Sequence, residues 1–140
     1  MQVHQVMTKN AEYVLGETSL DEAARKMRDL NTGFLPIADK AEDKLQGIIT
    51  DRDITIRAVA EGKDPGTTKA MDIKTDEVLY CYQQDSVEDA AKSMQQKQMY
   101  RLIVLNNPEE KRLSGVVSLG DIVRQNKLEL SGETAKVITS

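Results

Sequence analysis

The stretch "GIITDRDI", Gly47–Ile54, returns 68 residues later as "GVVSLGDI", Gly115–Ile122. Both spell glycine, two β-branched aliphatic residues, a hydroxyl residue, two variable residues, aspartate and isoleucine. The match reaches outward from there. "TSLDEAARKM" (Thr18–Met27) pairs with "DSVEDAAKSM" (Asp85–Met94), and "FLPIAD" (Phe34–Asp39) with "RLIVLN" (Arg101–Asn106), both at a spacing of 67. One residue inserted in the following loop moves the spacing to 68. Three matched blocks in one order establish an internal duplication, and the duplication organises the chain.

Each copy reads locally in the same way. Ser19 stands three residues before Glu22, and Ser86 three before Asp89, the signature of a helix N-terminus. Leu20, Ala23, Ala24, Met27 and Leu30 then recur at helical spacing, as do Val87, Ala90, Ala91 and Met94. Two aliphatic runs, "FLPIA" and "LQGIIT", flank the charged loop "DKAEDK" and read as a β-hairpin. Glu42, Asp43 and Lys44 belong to that solvated turn. A second helix, "ITIRAVAE", follows Asp53 and stops at Gly62 and Pro65-Gly66. "IVRQNKLEL" is its counterpart after Asp121. Extended segments, "EYVLG" and "EVLYCY", precede the first helix of each copy. The order is strand, helix, strand, strand, helix, twice. The expected division is a first unit at 1–62, a linker at 63–70, a second unit at 71–128 and a C-terminal tail at 129–140. A half of this size is marginal alone, so the two sheets are expected to pack together and complete one core.

Composition narrows the function. The chain has 140 residues and a net charge of −4. That balance argues against nucleic acid as partner, although a local basic cluster still suits one phosphate group. Aromatic residues make up 4% of the chain, so the core is aliphatic. Cys81 is the only cysteine, which excludes an internal disulfide and points to a reducing, cytoplasmic setting. No apolar run approaches the roughly 18 residues of a membrane span, and "MQVHQVMTKN" has no signal-peptide core.

The repeated sentence places Thr50 and Ser118 at strand ends, just where a helix begins. Unpaired N–H groups and the positive dipole end of that helix favour an anion such as phosphate. An aspartate carboxylate, with two acceptor oxygens, suits the vicinal hydroxyls of a ribose. A plainer reading stands beside this one. Ser, Thr and Asp are preferred helix caps, worth about 1 kcal/mol each, and capping alone accounts for either copy taken singly.

"VMT" at Val6–Thr8, "SLDEAARKM", "GFLPIAD", "GIITDRDI" and "MYRLIVL … GVVSLGDI" together resemble a tandem pair of CBS domains, the Bateman module, over Val3–Lys127. The stretch "DRDITIRAVAEGKDPGTT" resembles small stand-alone bacterial two-CBS proteins. "YRLIVL" with "GVVSLGDI" is similar to the AMP-sensing γ-subunit of a eukaryotic protein kinase. The resemblance implies an α/β (α+β) fold: two βαββα units related by a pseudo-two-fold axis, their sheets packed together and the helices outside. It implies two clefts, each able to hold an adenine nucleotide (AMP, ADP, ATP) or a related adenosyl compound. Asp53 or Asp121 would hold the ribose, and Thr50 or Ser118 would face ribose and phosphate. Thr8 would lie near Asp121, and Asp72-Ile73 near Asp53. Backbone groups around Gly33 and Tyr100 would read the adenine edge, with Arg101 in a phosphate-contacting position and Arg52 as the basic residue of the first sentence. A homodimer formed through the helices and a separate protein partner are also implied.

The copies differ where charge matters. Phe34 stands opposite Arg101, Arg52 opposite Leu119-Gly120, and Asp72 adds a negative charge to the first site. The Ser118/Asp121 site is therefore expected to be the stronger one. His4 and Cys81 lack metal-ligand spacing and read as a surface histidine and a buried structural thiol, with no metal site. Arg57 reads as a solvated helix residue that reaches a phosphate only if its helix packs close, and Met27, Met94 and Met99 read as core filler. No Walker loop, nucleophile elbow or nucleophile–base pair is visible, so the chain reads as no enzyme. Two functions remain: a regulatory adenine-nucleotide sensor, or a ligand-free interaction and dimerisation scaffold with collapsed clefts, which Phe34 and Asp72 favour for the first site.

Overall fold

The computed structural model describes residues 1–130, and side chains through residue 126. Residues 131–140 of the expected tail lie outside the described residues. In chain order, a 3₁₀ turn at Val3–Gln5 leads to β1 (Thr8–Lys9), α1 (Leu20–Leu30), β2 (Phe34–Ala38) and β3 (Leu45–Thr50). α2 (Asp51–Asp53) continues as a π-helix over Ile54–Val59, followed by α3 (Ala70–Ile73). β4 (Tyr80–Tyr82), α4 (Val87–Lys97), β5 (Arg101–Leu105), β6 (Leu113–Ser118) and α5 (Leu119–Leu130) complete the series. The chain is α/β, and its second copy has the order strand, helix, strand, strand, helix; in the first copy the extended segment "EYVLG" makes one bridge at Val14, and β1 and α3 are additions to the order read from the sequence.

Two compact units form, and neither is one continuous piece of chain. One gathers Met1–Ala11, Leu79–Pro108 and the chain from Ser114; the other gathers Glu12–Val78 with Glu109–Leu113. The leading segment of each repeat thus lies with the body of the other repeat. Gln2 bridges Ser86 in one unit, and Lys69 bridges Ser19 in the other, each pair shifted by the same 67 residues.

The first-named unit holds a four-stranded sheet in the order β1-β6-β5-β4. β1 runs antiparallel to β6, Thr8 opposite Val116, and β4 runs parallel to β5, Cys81 opposite Val104. The other unit holds the β2–β3 hairpin, with Leu35 opposite Ile49. Single bridges complete it, Thr75 to Ile48 and Val14 to Ile37, in the same lanes and registers as the first sheet. The cores correspond almost residue for residue. Val14, Leu20, Met27, Leu35, Ile37 and Ile49 form one; Cys81, Val87, Met94, Leu102, Val104 and Val117 form the other.

Local details depart from the sequence reading in four places. Ser86 caps α4 by accepting the Asp89 amide, but Ser19 does not cap α1. Its hydroxyl donates instead to Asp21, whose carboxylate also takes the Glu22 amide. Aspartate two residues on outcompetes the expected cap. Ala24 and Leu30 are exposed, so the apolar stripe of α1 is narrower than its periodicity implied. Met99 is exposed rather than core filler, because Gln98 turns left-handed (φ 55°) and takes the chain out of the helical stripe before it. The helix after Asp53 is wound as π: the Ala60 amide reaches the Thr55 carbonyl at 2.9 Å, and Lys63 reaches Ala58 at 2.9 Å. Such bulges concentrate at functional positions.

Gly115 shows what the strand exchange demands. A Cβ there would lie 2.4 Å from the Thr8 carbonyl oxygen, so β1 could not keep its place beside β6. Gly115→Ala is expected to lower stability by about 1–3 kcal/mol, the usual cost of overpacking. A urea melt with an unshifted midpoint would contradict this close approach.

Candidate functional site

Each unit carries one repeated sentence, and in both the hydroxyl and the aspartate bond each other reciprocally. The Asp53 amide donates to Thr50 Oγ1 at 3.0 Å, and the Thr50 amide donates to Asp53 Oδ2 at 3.0 Å. The Asp121 amide donates to Ser118 Oγ at 3.0 Å, and the Ser118 amide to Asp121 Oδ2 at 2.9 Å. Two orphan N–H groups at the helix start are satisfied in this way. The capping reading therefore describes the geometry of both copies. Gly33 and Tyr100 occupy matching places as well: their carbonyls accept the amides of Asp51 and Leu119, each at 2.8 Å.

What meets the rest of each carboxylate differs. Asp53 is 6% exposed. The Thr75 hydroxyl approaches both of its oxygens, at 3.0 and 2.9 Å. Arg57 Nε lies 3.7 Å from Oδ1, and its Nη1 also donates to the carbonyls of Lys74 (3.0 Å) and Ile73 (3.4 Å). Arg57 is thus solvated, its side chain 54% exposed, and at the same time ties the helix to the Ile73–Lys74 backbone. Arg52, the basic residue anticipated at this site, is exposed on the first turn. Asp72 turns back to accept the Lys69 amide at 3.0 Å, which removes it as an obstacle.

Among the described residues Asp121 has one partner beyond its cap, the guanidinium of Arg124, whose side chain is 70% exposed. Thr8, Tyr100 and Arg101 lie in the same compact unit, all exposed. Gly33, Thr50, Arg52 and Asp53 share the other. Thr75 was not singled out from the sequence, yet it lies 67 positions after Thr8 and matches it in the repeat. Carrying the spacing back to the leading segments would have found it.

The CBS domain model matches residues 3–59 and again 70–127. The chain belongs to the CBS-domain family. YlbB of Bacillus subtilis is 34% identical over 120 residues, 86% of this chain and 78% of that one. A crystal structure of hypoxic response protein I with two coordinated zinc ions has a TM-score of 0.78 and 32% identity, covering 89% of this chain and 98% of that one. The CBS domain pair of protein MJ0100, in complex with 5′-methylthioadenosine and S-adenosyl-L-methionine, has a TM-score of 0.76 and 27% identity over 92% of this chain and 98% of that one.

His4 Nε2 lies 2.7 Å from Gln2 Oε1. Cys81 is buried, and burial with the nearby Asp85 charge pushes its thiol up to about 12, far from the thiolate a metal needs. Among the described residues no three His, Cys, Asp or Glu come together. Nor is any helix among them long and apolar enough to cross a membrane.

Thr75→Val removes the hydroxyl from a buried CBS aspartate and is expected to cost about 1.5–3 kcal/mol. Thr8→Val, at the exposed counterpart, is expected to stay within about 0.5 kcal/mol. Denaturant melts of the two variants check the asymmetry, and equal losses would contradict it.

Proposed function

We propose that the chain is a regulatory module that binds an adenine nucleotide (AMP, ADP or ATP) or a related adenosyl compound at Ser118 and Asp121, and so acts on a separate protein. One observation carries the ranking of the two positions: among the described residues Asp121 is met outside its cap by Arg124 alone, whereas Asp53 is met by both Thr75 and Arg57. A ribose diol displacing Arg124 gives up a single ion pair to an arginine that is 70% exposed and can swing into solvent. At Asp53 it would have to break a buried bond and the Arg57 tie. The displaced Arg124, exposed Arg101 and the opening amides of α5 supply positive potential for phosphate. The adenosyl ligands of MJ0100, 27% identical, support the ligand class. Thr8, Tyr100 and Arg101 are the accompanying residues at Ser118 and Asp121, and Gly33, Thr50, Arg52 and Asp53 belong to the weaker site of this reading, in the other unit. No catalytic group is assigned, and the single buried thiol fits a cytoplasmic setting.

The scaffold reading gains from exposed apolar side chains. Ile56 (48%) and Val59 (62%) project from the π-helix, and Leu119 (38%) and Val123 (43%) from α5. A second copy of the chain is the occupant proposed for such helix faces. Light scattering at micromolar concentration is expected to give twice the 15.6 kDa chain mass. A monomer removes this part of the reading.

Titration calorimetry tests the nucleotide. Losing the Asp121 carboxylate in Asp121→Ala is expected to weaken AMP or ATP binding about ten- to a hundredfold. Asp53→Asn is expected to change it less than about threefold, within the tenfold that 1.4 kcal/mol represents. Equal losses refute the ranking, and no binding heat with AMP, ADP or ATP refutes the ligand.

A further inference from the structure

A polar cavity lies elsewhere in the unit that contains Asp121. It has a volume of about 340 Å³ and is walled by His4, Lys9, Asn10, Gln83, Gln84 and Ser114, with Met7 as its apolar side. That volume is at the lower end of the roughly 300–1,000 Å³ typical of small-molecule sites. Ser114 is four residues before Ser118 on β6, so at about 3.3 Å per residue the two positions are about 13 Å apart. The cavity is a separate place.

Its lining has one ammonium, one imidazole, three carboxamides, a hydroxyl and no carboxylate. In a chain with 23 acidic residues and a net charge of −4, that selection is notable in sign. The walls are also fixed. The His4 amide donates to the Gln83 carbonyl at 3.1 Å, and the Gln83 amide to the Leu105 carbonyl at 3.1 Å. Ser114 Oγ donates to Gln83 Oε1, leaving the amide NH₂ of Gln83 to meet an acceptor. Lys9 is tied by its backbone to Gly115.

The duplication supplies an internal comparison. In the other unit, Met71 stands for His4, Gly16 for Gln83, Glu17 for Gln84, Asp76 for Lys9 and Glu77 for Asn10. There the space is filled: a Cβ on Gly16 would lie 2.5 Å from Met71 Cε. Lys74 is paired with Asp76. The fold alone therefore does not impose an open, carboxylate-free cavity. One copy has it and the other has closed it and made it acidic.

We infer that this cavity binds a small oxyanion, a phosphate or carboxylate group held by Lys9 with the side-chain amides of Asn10, Gln83 and Gln84, the Gln83 amide being oriented by the Ser114 hydroxyl. The inference uses residues outside the nucleotide site and does not depend on it. Amide NMR spectra of the whole chain, titrated with inorganic phosphate and separately with citrate at constant ionic strength, test it. Saturable shifts at Lys9, Asn10, Gln84 and Ser114 with either anion are expected, and the stronger of the two names the group. Lys9→Asp with Asn10→Glu writes in the other unit's residues at exposed positions, and is expected to weaken binding at least tenfold. Asp121→Ala is expected to leave it unchanged, which separates this site from the nucleotide site. Shifts centred on Ser118–Arg124, shifts that persist in the Lys9/Asn10 variant, or no saturable shift with either anion would overturn the proposal.

Discussion

In both units the junction of strand and helix is fixed by one reciprocal bond, a strand-end hydroxyl and a carboxylate three residues later exchanging backbone amides. The bond satisfies two donors that the helix start would otherwise leave open. It also fixes the orientation of the carboxylate. Oδ2 is committed to the amide of the hydroxyl residue in each copy, at 3.0 Å for Asp53 and 2.9 Å for Asp121. Whatever else the aspartate does, it does with the acceptor capacity that remains. The group facing that remaining edge therefore decides whether a copy is a structural joint or a position open to a ligand.

That facing group comes from a distant part of the chain. Because each repeat lends its leading segment to the body of the other, Thr75 arrives beside Asp53 from the second repeat, and Thr8 pairs beside β6 from the first. The two threonines occupy the same bridge in their sheets, opposite Ile48 and Val116. The exchange is reciprocal in backbone but not in side-chain use. The Thr75 hydroxyl bonds the buried carboxylate, and Arg57 then fastens the π-wound helix to the carbonyls of Ile73 and Lys74. In the other copy α5 is wound as an ordinary α-helix, and the arginine available, Arg124, reaches Asp121 from a side chain that is 70% exposed.

The sequence revealed most of the fold because duplication lets each copy check the other. Apolar positions that recur at the same spacing, such as Met27 with Met94 and Ile37 with Val104, are the buried ones in both cores. Periodicity alone overreached at Ala24 and Leu30, since no counterpart constrained the width of the stripe. The site was legible as a set of residue types and illegible as a set of partners. Competition between neighbouring polar groups left no trace in the pattern: Asp21 taking the Ser19 hydroxyl, Asp72 taking the Lys69 amide, Arg57 rather than Arg52 reaching Asp53. The π-winding that brings Arg57 there has no sequence signature in the repeat. Thr75 was readable, but only by extending the spacing of 67 back to the leading segments.

A duplicated fold must keep its caps twice, so the presence of the hydroxyl–aspartate pair in both copies says little about function. The informative positions are those where structure allows the copies to diverge. There the charges separate by unit. One copy surrounds its β6 lane with Arg101 and Arg124 toward the helix end and His4 and Lys9 toward the other. The other places Glu17, Asp76 and Glu77 at the corresponding end, with Lys74 paired to Asp76, and its buried carboxylate is met by Thr75 and Arg57. Like charges gathered at a place that carries no structural need for them lower the cost of bringing in an opposite charge from solution. The asymmetry of charge, more than the shared motif, is what distinguishes the two units, and it is on this asymmetry that the proposed anion sites rest.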